Sequence, residues 1–518
     1  MRQPLLQRAP RGQASVMTRS VPAPVGGWNT RDPEAKMSPT DAVWLENWWP
    51  TANEVQLRPG VETFATGLSL AVDSLMGYSA PAAAKLFAAT SAGIYDVTAG
   101  GAVGAAEIAL TNGRLSHAIM TTVAGTFLIA VNGVDTLKLY DGTSWASITG
   151  VSSPAITGVT TSDLDFVHVH ARRVWFIEKN SMSVWYLPVD SIAGAATEFP
   201  VGQLFTKGGK LAAIGSWTVD GGQGPEDFFL LLTTEGECAI YQGTDPSSST
   251  TWSLRGVFFV GRPVGRKPLV KFGGDVLVLT EAGDFPLSKV LLSNTLDAKA
   301  AISDKINNVF NASAKLYSGN FGWQQIVFPT EQLLLVNVPT LEGSSSSQFA
   351  MNTLTKAWAL FTGWNAFSWE AWQGGLYYGG AGVVNKAMTG QNDFGNNISA
   401  FAKTAFNYFG SAKNKQWTLV RPIIRASGNI SAFLGGDVDF ENLSDSGAQL
   451  FSSPLNYEWG AAIWGEALWG ADYAVRKEWH TIAAKEGFCL ALRLRLAVKN
   501  VRVGWSSTDF AFKRGGVL

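Results

Sequence analysis

Between about residue 65 and residue 400, short apolar runs alternate with tight turns rich in Gly, Asn and Asp. The stretch 127–142 is typical, because two runs of β-branched and aromatic residues flank Asn132 and Gly133. Such turn residues adopt the left-handed backbone that closes a β-hairpin. We therefore predict β-hairpins that start near residues 86, 127, 174, 228, 276, 333 and 372.

The spacing of these hairpins favours a β-propeller. Their starts lie roughly 40–60 residues apart, which is the period of four-stranded blades in which one hairpin is the recognisable half. We predict an all-β fold with a propeller-like body over residues 65–400 and leave the number of blades open. A β-sandwich with long insertions is the alternative. Residues 293–313, with apolar positions near helical spacing, predict one helix between blades.

The pattern changes after residue 400. Strands are predicted over residues 417–425, 430–440 and 490–505. A Trp-Gly pair recurs every five residues, at Trp459, Trp464 and Trp469. A period of five matches neither a strand nor a helix, so we expect an irregular loop whose indoles pack on a sheet or on a neighbouring subunit. We assign residues 401–518 to a separate C-terminal β-domain.

The N-terminal segment is rich in proline and tryptophan. Prolines at positions 22, 24, 33, 39, 50 and 59 fix φ and remove amide donors. They predict an extended arm over residues 1–64 rather than a helix or a central strand. Residues 1–20, with four arginines, are expected to be mobile until bound. The candidate assembly contacts of the arm are Trp28, Arg31, Trp44, Trp48 and Trp49.

Composition narrows the classes of function. Hydrophobic residues make up 46% of the chain and charged residues 16%, and the 55 glycines and 20 tryptophans are typical of all-β assemblies with many subunit contacts. The net charge of −1 argues against a generic nucleic-acid binder and against polybasic membrane attachment. We recognise no secretory signal, membrane anchor or membrane span. The isolated Cys238 and Cys489 suit folding in a reducing cytoplasm.

The C-terminal segment carries a candidate DNA-contacting face. Residues 490–499 alternate strictly, so the leucines share one face of a strand. Arg493, Arg495 and Lys499 share the other face. This face is either an ordinary solvated sheet face or, in a ring, a cationic lining that attracts DNA phosphates without reading their sequence.

Residues that perform chemistry are sparse. His168 and His170 are spaced so that a strand projects both rings to one side, but no third ligand is placed to complete a metal site. We expect two histidines exposed at a sheet edge. Nothing resembles a nucleophile elbow or a phosphate-binding loop, and Cys238 lies mid-strand, where an inert thiol is expected. The sequence therefore predicts no catalytic residues, no cofactor and no metal.

Several stretches resemble one family of proteins. Gly-Gly-Trp-Asn-Thr-Arg-Asp-Pro at 26–33, Leu-Glu-Asn-Trp-Trp-Pro at 45–50 and Leu-Arg-Pro-Gly at 57–60 occur in that order. Together they resemble the N-terminal signature of a family of tail proteins from short-tailed bacteriophages. These are the tail nozzle or stabilisation proteins, also described as tail tubular protein B-like. Residues 276–290 and 321–365 look like further segments of the same proteins.

The resemblance implies a structural protein of the virion tail, made in the cytoplasm of the bacterial host, and not an enzyme. It implies a homo-oligomeric ring, usually sixfold, fixed below the portal and adaptor rings. Double-stranded DNA passes through such a ring without sequence recognition, and tail fibres or spikes attach to it. The ring extends the DNA channel, helps to retain the genome and serves DNA ejection.

Two other classes of protein remain open. The first is a tail-associated propeller that binds or hydrolyses host-surface glycans, although the acidic residues are too many to select the two carboxylates that hydrolysis needs. The second is a cellular β-propeller scaffold, which fits the body but not the N-terminal signature.

Overall fold

The computed structural model describes residues 16–81, 83–220, 225–293, 297–443, 448–451, 474–476, 478–482 and 486–515. The chain divides into two compact units. Unit 1 combines Met1–Leu57 with Asn397–Leu518, and unit 2 is Arg58–Asn396.

The first piece of unit 1 forms strands. They are β1 (Val16–Pro22), β2 (Gly27–Trp28), β3 (Asp41–Glu46), β4 (Trp48–Pro50) and β5 (Val55–Leu57), with one 3-10 turn at Glu34–Lys36.

Unit 2 is a β-propeller, and its described residues form seven blades. The unit begins with β6 (Val61–Ala71). Blade 1 contains β7 (Ser74–Ala80), β8 (Ala83–Thr90), β9 (Gly93–Asp96) and, after β10 (Gly101–Ala102), β11 (Ile108–Ala109). Blade 2 contains β12 (Ser116–Thr122), β13 (Gly125–Val131), β14 (Lys138–Tyr140) and β15 (Trp145–Ser147).

The next blades follow in chain order. After β16 (Ile156–Thr157), blade 3 contains β17 (Leu164–His170), β18 (Arg173–Glu178), β19 (Ser183–Tyr186) and, after β20 (Gly194–Ala195), β21 (Thr197–Pro200). Blade 4 contains β22 (Leu211–Asp220), β23 (Pro225–Thr233), β24 (Glu237–Gly243) and β25 (Trp252–Phe259). Blade 5 contains β26 (Leu269–Phe272), β27 (Asp275–Thr280) and β28 (Gly283–Pro286).

The last two blades complete the ring. Blade 6 contains β29 (Gln324–Phe328), β30 (Leu333–Leu341), β31 (Ser345–Asn352) and β32 (Trp358–Phe361). Blade 7 contains β33 (Ser368–Trp372), β34 (Gly375–Gly379), β35 (Ala381–Ala387) and β6. Short 3-10 turns lie at Thr161–Asp163, Gly202–Leu204 and Pro329–Glu331.

The propeller closes by pairing its two ends. β6 pairs antiparallel with β35, so that Val61 lies opposite Ala387 and blade 7 takes its outer strand from the start of the unit. The first strands of the seven blades contact strands of the neighbouring blades and surround the central channel. Buried apolar clusters fill the space between adjacent blades, as where Trp175 stacks on Trp252 with ring centroids 5.6 Å apart.

The all-β, propeller-like fold is confirmed. Each of the hairpins predicted from the sequence lies in a different blade, and the unit spans residues 58–396 instead of 65–400. The hairpins are found because turn chemistry and strand propensity are local properties of the sequence.

The single helix predicted over residues 293–313 differs from the structure. The segment forms α1 (Leu287–Ser293), 3-10 turns at Ala298–Ala300 and Asp304–Ile306, and α2 (Asn307–Tyr317). The side chain of Asp297 accepts a hydrogen bond from the Lys299 amide at 3.0 Å, and such local bonds compete with a continuous helix. None of the helices in the described ranges is long and apolar enough to cross a membrane.

The second piece of unit 1 contributes the remaining strands. They are β36 (Ile398–Thr404), β37 (Lys415–Ala426), β38 (Ile430–Val438), β39 (Ala448–Phe451), β40 (Ala474–Arg476), β41 (His480–Thr481), β42 (Glu486–Gly487), β43 (Leu490–Val498) and β44 (Val503–Arg514). In one sheet the order within unit 1 is β2-β3-β36-β43-β38-β39. In the other, β4-β5-β44-β37 form the path, β1 pairs with β44, and β40, β41 and β42 pair with β37.

The prediction of a separate N-terminal arm over residues 1–64 is corrected by these pairings. β3 pairs with both β2 and β36, and β1 pairs with β44 along its whole length. Pro22 and Pro50 end their strands and Pro33 lies between strands, so the prolines do not interrupt a ladder. Residues 16–57 of the predicted arm therefore form one unit with the described part of the predicted domain 401–518, whereas residues 58–64 belong to unit 2. Residues 1–15 lie outside the described ranges, as do the three tryptophans of the Trp-Gly repeat.

Candidate functional site

The predicted assembly contacts fall into two groups. Trp28, Trp48 and Trp49 are buried in unit 1, where the Trp28 Nε1 donates to the Val43 carbonyl oxygen at 3.1 Å. Trp48 packs on Trp505 with ring centroids 6.0 Å apart. Trp28 and Trp48 thus pack within unit 1, and all three indoles present little surface to a partner, which argues against their predicted role as assembly contacts.

The other two predicted contacts lie on the surface. Trp44 is 36% exposed, and its Nε1 donates to the Glu46 carboxylate at 3.1 Å. The Arg31 side chain is 43% exposed and forms an ion pair with Asp32 at 2.8 Å. Both side chains can contact another subunit.

The alternation predicted for β43 is confirmed. The side chains of Leu490, Leu492, Leu494, Leu496 and Val498 are buried. Arg495 and Lys499 are exposed, whereas Arg493 is only partly so.

Arg493 is held by a buried carboxylate. Asp437 on β38 is fully buried and forms ion pairs with Arg493 and Lys403, each at 3.0 Å. A carboxylate removed from water needs such cations, because an uncompensated buried charge is strongly destabilising. Arg493 thus stabilises unit 1 through this ion pair, whereas the other two predicted DNA contacts, Arg495 and Lys499, are exposed.

The outer surface of this sheet combines aromatic rings with cations. The register places Phe401, Arg495 and Phe433 side by side on β36, β43 and β38, and Lys403 opposite Trp44 of β3. The Arg495 guanidinium carbon lies 5.5 Å from the centroid of the Phe401 ring. We call these five side chains the cationic–aromatic face of unit 1; Lys403 is only partly exposed in it, because its ammonium pairs with Asp437.

A second polar site lies in the central channel of the propeller. Glu370 on β33 of blade 7 lies over Gly77 on β7 of blade 1 and reaches towards His117 on β12 of blade 2. A Cβ atom at Gly77 would lie only 3.2 Å from Glu370 Oε1, so glycine leaves room for the carboxylate. The Glu370 Oε2 and His117 Nε2 atoms are 3.8 Å apart, and Lys267, which precedes β26 of blade 5, interacts electrostatically with both residues.

Burial in the channel perturbs all three ionisable groups. It raises the pKa of Glu370 to about 7, against the opposing effects of the Lys267 charge and a hydrogen bond from the Gly77 amide. Burial, assisted by Lys267, holds the pKa of His117 well below its ordinary value. The pKa of Lys267 is lowered by burial, while Glu370 acts to raise it. The cluster therefore contains a carboxyl group that changes charge near neutral pH.

A small cavity, with about 30 Å³ of space for water-sized molecules, opens beside this cluster at the mouth of the channel. Its lining comes largely from residues at or just before the first strands of the blades, among them Asp73, Arg114, Arg266, Lys267 and Trp323. The lining thus contains three cationic side chains and one acidic side chain.

The predicted exposed pair of histidines is corrected. His168 is partly buried and His170 is 3% exposed, because β17, although at the edge of its own sheet, packs against β12 and β22 of the neighbouring blades. His168 Nε2 and His170 Nδ1 lie 2.9 and 2.8 Å from the Ser216 hydroxyl on β22 of blade 4. Burial lowers the pKa of each histidine to about 4, so both rings are neutral at pH 7.

Metal and thiol chemistry find little support in the described part of the chain. It holds no group of three or more His, Cys, Asp or Glu side chains that could bind a metal ion. Cys238 is buried and free, as predicted, and burial raises its pKa to about 12, which keeps the thiol protonated.

Sequence reasoning missed the channel cluster. The available signal was weak, because Glu370 and His117 are each a single ionisable residue in a strand of otherwise uncharged side chains. Their proximity depends on the order of blades around the ring, which no local pattern reports.

No family model and no curated protein matches the chain. Among solved structures, the β-propeller domain of Swd1 from Myceliophteria thermophila has a TM-score of 0.35 and 9% identity, covering 64% of this chain and 97% of that chain. A quinonprotein alcohol dehydrogenase-like protein from Bacteroides thetaiotaomicron has a TM-score of 0.34 and 13% identity, covering 61% of this chain and 68% of that chain. These likenesses concern the fold alone.

Proposed function

We propose that this protein is a structural component of a short-tailed phage tail that assembles into a ring around the path of the DNA. The resemblance of residues 26–60 to the nozzle signature supports the assignment. In this role the protein joins the tail adaptor, carries fibres or spikes, helps to retain the genome and lets it leave on ejection.

The observation that carries the proposal is the cationic–aromatic face. A ring repeats each surface cation in every subunit, so a single arginine per copy becomes a belt of positive charge. Such a belt attracts phosphates without reading bases. Arg495 lies in the middle of the face, flanked by Phe401 and Phe433, and Lys499 follows at the end of the same strand.

Arg495 and Lys499 are the residues to test for DNA contact. The variant Arg495→Glu with Lys499→Glu reverses two exposed charges per subunit, and we expect assembled particles to show altered genome retention and a changed ejection rate. Arg493→Glu is unsuitable, because a second carboxylate would lie beside the buried Asp437 and destabilise unit 1.

A matched control is Lys513→Glu, because Lys513 is an exposed cation on β44 in the other sheet of unit 1. We expect its particles to behave as wild type. If the Arg495→Glu, Lys499→Glu particles retain and eject the genome as wild type does, Arg495 and Lys499 do not contact the DNA. In images of the assembled ring, both side chains are expected to point towards its axis.

Ring formation has its own test. Native mass spectrometry of the protein, free and mixed with the tail adaptor, is expected to show a closed oligomer, sixfold if the resemblance holds. Only monomer under both conditions would contradict the proposal. An image of the purified virion would place the ring in the tail.

A further inference from the structure

We propose that the mouth of the central channel in unit 2 binds a small oxyanion, either a carboxylate or a tetrahedral oxyanion, with Lys267 as its principal cation. This site is separate from the cationic–aromatic face and goes beyond the proposed role in the tail. It rests on the geometry of one cavity and of the three ionisable residues beside it.

The polar atoms at this site do not satisfy one another. Glu370 Oε2 and His117 Nε2 are 3.8 Å apart, which is too far for a hydrogen bond. Among the described residues, the Lys267 ammonium forms no hydrogen bond or ion pair, and the buried His117 Nδ1 has no hydrogen-bond partner. A buried ring nitrogen such as His117 Nδ1 is normally satisfied. Lys267, which is partly buried and lines the cavity, is the cation available to a ligand.

The cavity has the size and the charge for a small anion. Its space of about 30 Å³ for water-sized molecules has room for about two waters, or for a small ion in their place. Arg114 pairs with Glu342 at 2.6 Å, and Arg266 pairs with Asp165, so these two cations already have counter-charges. Lys267 is influenced by the Glu370 carboxylate and by the repelling charge of Arg266.

The charge of the site changes with pH through Glu370. Asp73 is the other carboxyl at the cavity, and its pKa is also raised by burial, although Arg114 opposes this. His117 stays neutral near pH 7, as do His168 and His170. When Glu370 takes up a proton near pH 7, Lys267 loses its counter-charge and the site becomes more attractive to an anion.

The test is isothermal titration calorimetry of the full chain with sodium sulfate and, separately, sodium acetate at pH 6 and pH 8. Both probes keep a constant charge over this range, whereas phosphate does not. With a pKa of about 7, Glu370 is protonated in about nine molecules of ten at pH 6 and one in ten at pH 8. We expect about tenfold tighter binding at pH 6, and the tighter of the two probes identifies the anion class.

Variants separate the site from general charge effects. Glu370→Gln is expected to bind equally at both pH values, Lys267→Gln to lose binding, and Lys267→Arg to retain it. Lys271→Gln is the matched control, because Lys271 is an exposed cation on the neighbouring β26, and its binding should equal that of wild type.

Three outcomes overturn the proposal: neither probe binds the folded protein at pH 6, binding survives Lys267→Gln, or Lys271→Gln weakens binding as much as Lys267→Gln. Thermal melting establishes that each variant is folded. If Lys267→Gln does not fold, anion binding by Glu370→Gln at pH 6 and pH 8 tests the proposal instead. Tighter binding at pH 6 that persists in Glu370→Gln would overturn it.

Discussion

Arg58 is the most enclosed cation at the closure of the propeller. Its side chain has no exposed surface, it bonds both carboxylate oxygens of Asp393 at 2.9 and 2.6 Å, and it donates to the Thr362 carbonyl at 2.8 Å. Its guanidinium carbon lies 4.5 Å from the centroid of the Trp364 ring. One side chain thus ties the start of unit 2 to a residue near its end.

We expect Arg58→Met to lower the free energy of unfolding by about 3–5 kcal/mol, because Asp393 would lose its cation at a mostly buried site. Urea denaturation followed by tryptophan fluorescence measures the change. Arg172→Met is the matched control, because Arg172 is 75% exposed and pairs with Asp190. This substitution should lower the free energy of unfolding by less than about 1 kcal/mol. Equal effects of the two substitutions would contradict this assignment.

Asp284 on β28 is an acid without a partner. Both of its carboxyl oxygens are buried and have no hydrogen-bond partner in the described residues, and burial raises its pKa to about 8. In the unfolded chain the carboxyl loses its proton near pH 3.8, whereas in the folded chain it keeps the proton until about pH 8. The protonated Asp284 therefore contributes most to the stability of the folded state below pH 3.8. This contribution to stability declines as the pH rises to 8.

The variant Asp284→Asn stays neutral at every pH and should lack this decline. We expect the free energy of unfolding of this variant to match that of wild type near pH 4. At pH 9 it should exceed that of wild type by at least about 1 kcal/mol, because wild type must then bury a charge or open the site. Urea denaturation at the two pH values provides the measurement. Parallel pH profiles would show that Asp284 is not the group responsible.

At the scale of elements, the first piece of unit 1 is the part that most needs its partner strands. β1 lies along β44, and β3 lies between β2 and β36. Deletion of residues 1–57 therefore removes β2 and β3 from one sheet of unit 1 and β1, β4 and β5 from the other. Trp48 packs on Trp505, which would lose its cover.

We expect deletion of residues 1–57 to leave residues 397–518 sensitive to protease, while the propeller remains protected. Limited proteolysis followed by mass spectrometry distinguishes the two regions. An extended arm that only docks on a surface predicts the opposite result, with residues 397–518 as resistant as in the full chain.

The hairpins could be predicted from the sequence, but several other elements could not. The turn at Asn132 and Gly133 marks its hairpin through local chemistry. The helical insertion of blade 5 was found but not its break, because the break depends on the side chain of Asp297. β3 was missed, because the prolines around it suggested a segment without central strands.

The candidate site residues also divide into those that the sequence predicts and those that it does not. Alternation along β43 identified Arg495 as exposed, since it needs only the period of a strand. It did not separate Arg493 from Arg495, because Asp437 comes from another strand more than fifty residues earlier. Glu370 and His117 were missed for the same reason: each depends on a partner in another blade.

At the scale of the whole molecule, the propeller contains everything needed to close its own ring. β6 and β35 pair within unit 2, and Arg58 bonds Asp393 beside that closure. We expect a chain of residues 58–396 to fold alone, with a cooperative thermal transition and a far-ultraviolet circular dichroism spectrum typical of strands. A chain of residues 72–396, which lacks β6, is the control and should unfold at a lower temperature. Failure of the longer chain to fold would contradict the assignment.

The interrupted sequence of unit 1 has a consequence for synthesis. Its two pieces leave the ribosome at different times, separated by the whole propeller. At about 5–20 residues per second, β1–β5 wait on the order of 20–70 s for their partner strands. During that interval the apolar surfaces of Trp28 and Trp48 are without their final cover. The nascent chain is thus most open to aggregation at its oldest end, and a chaperone that shields β1–β5 would raise the yield of the protein.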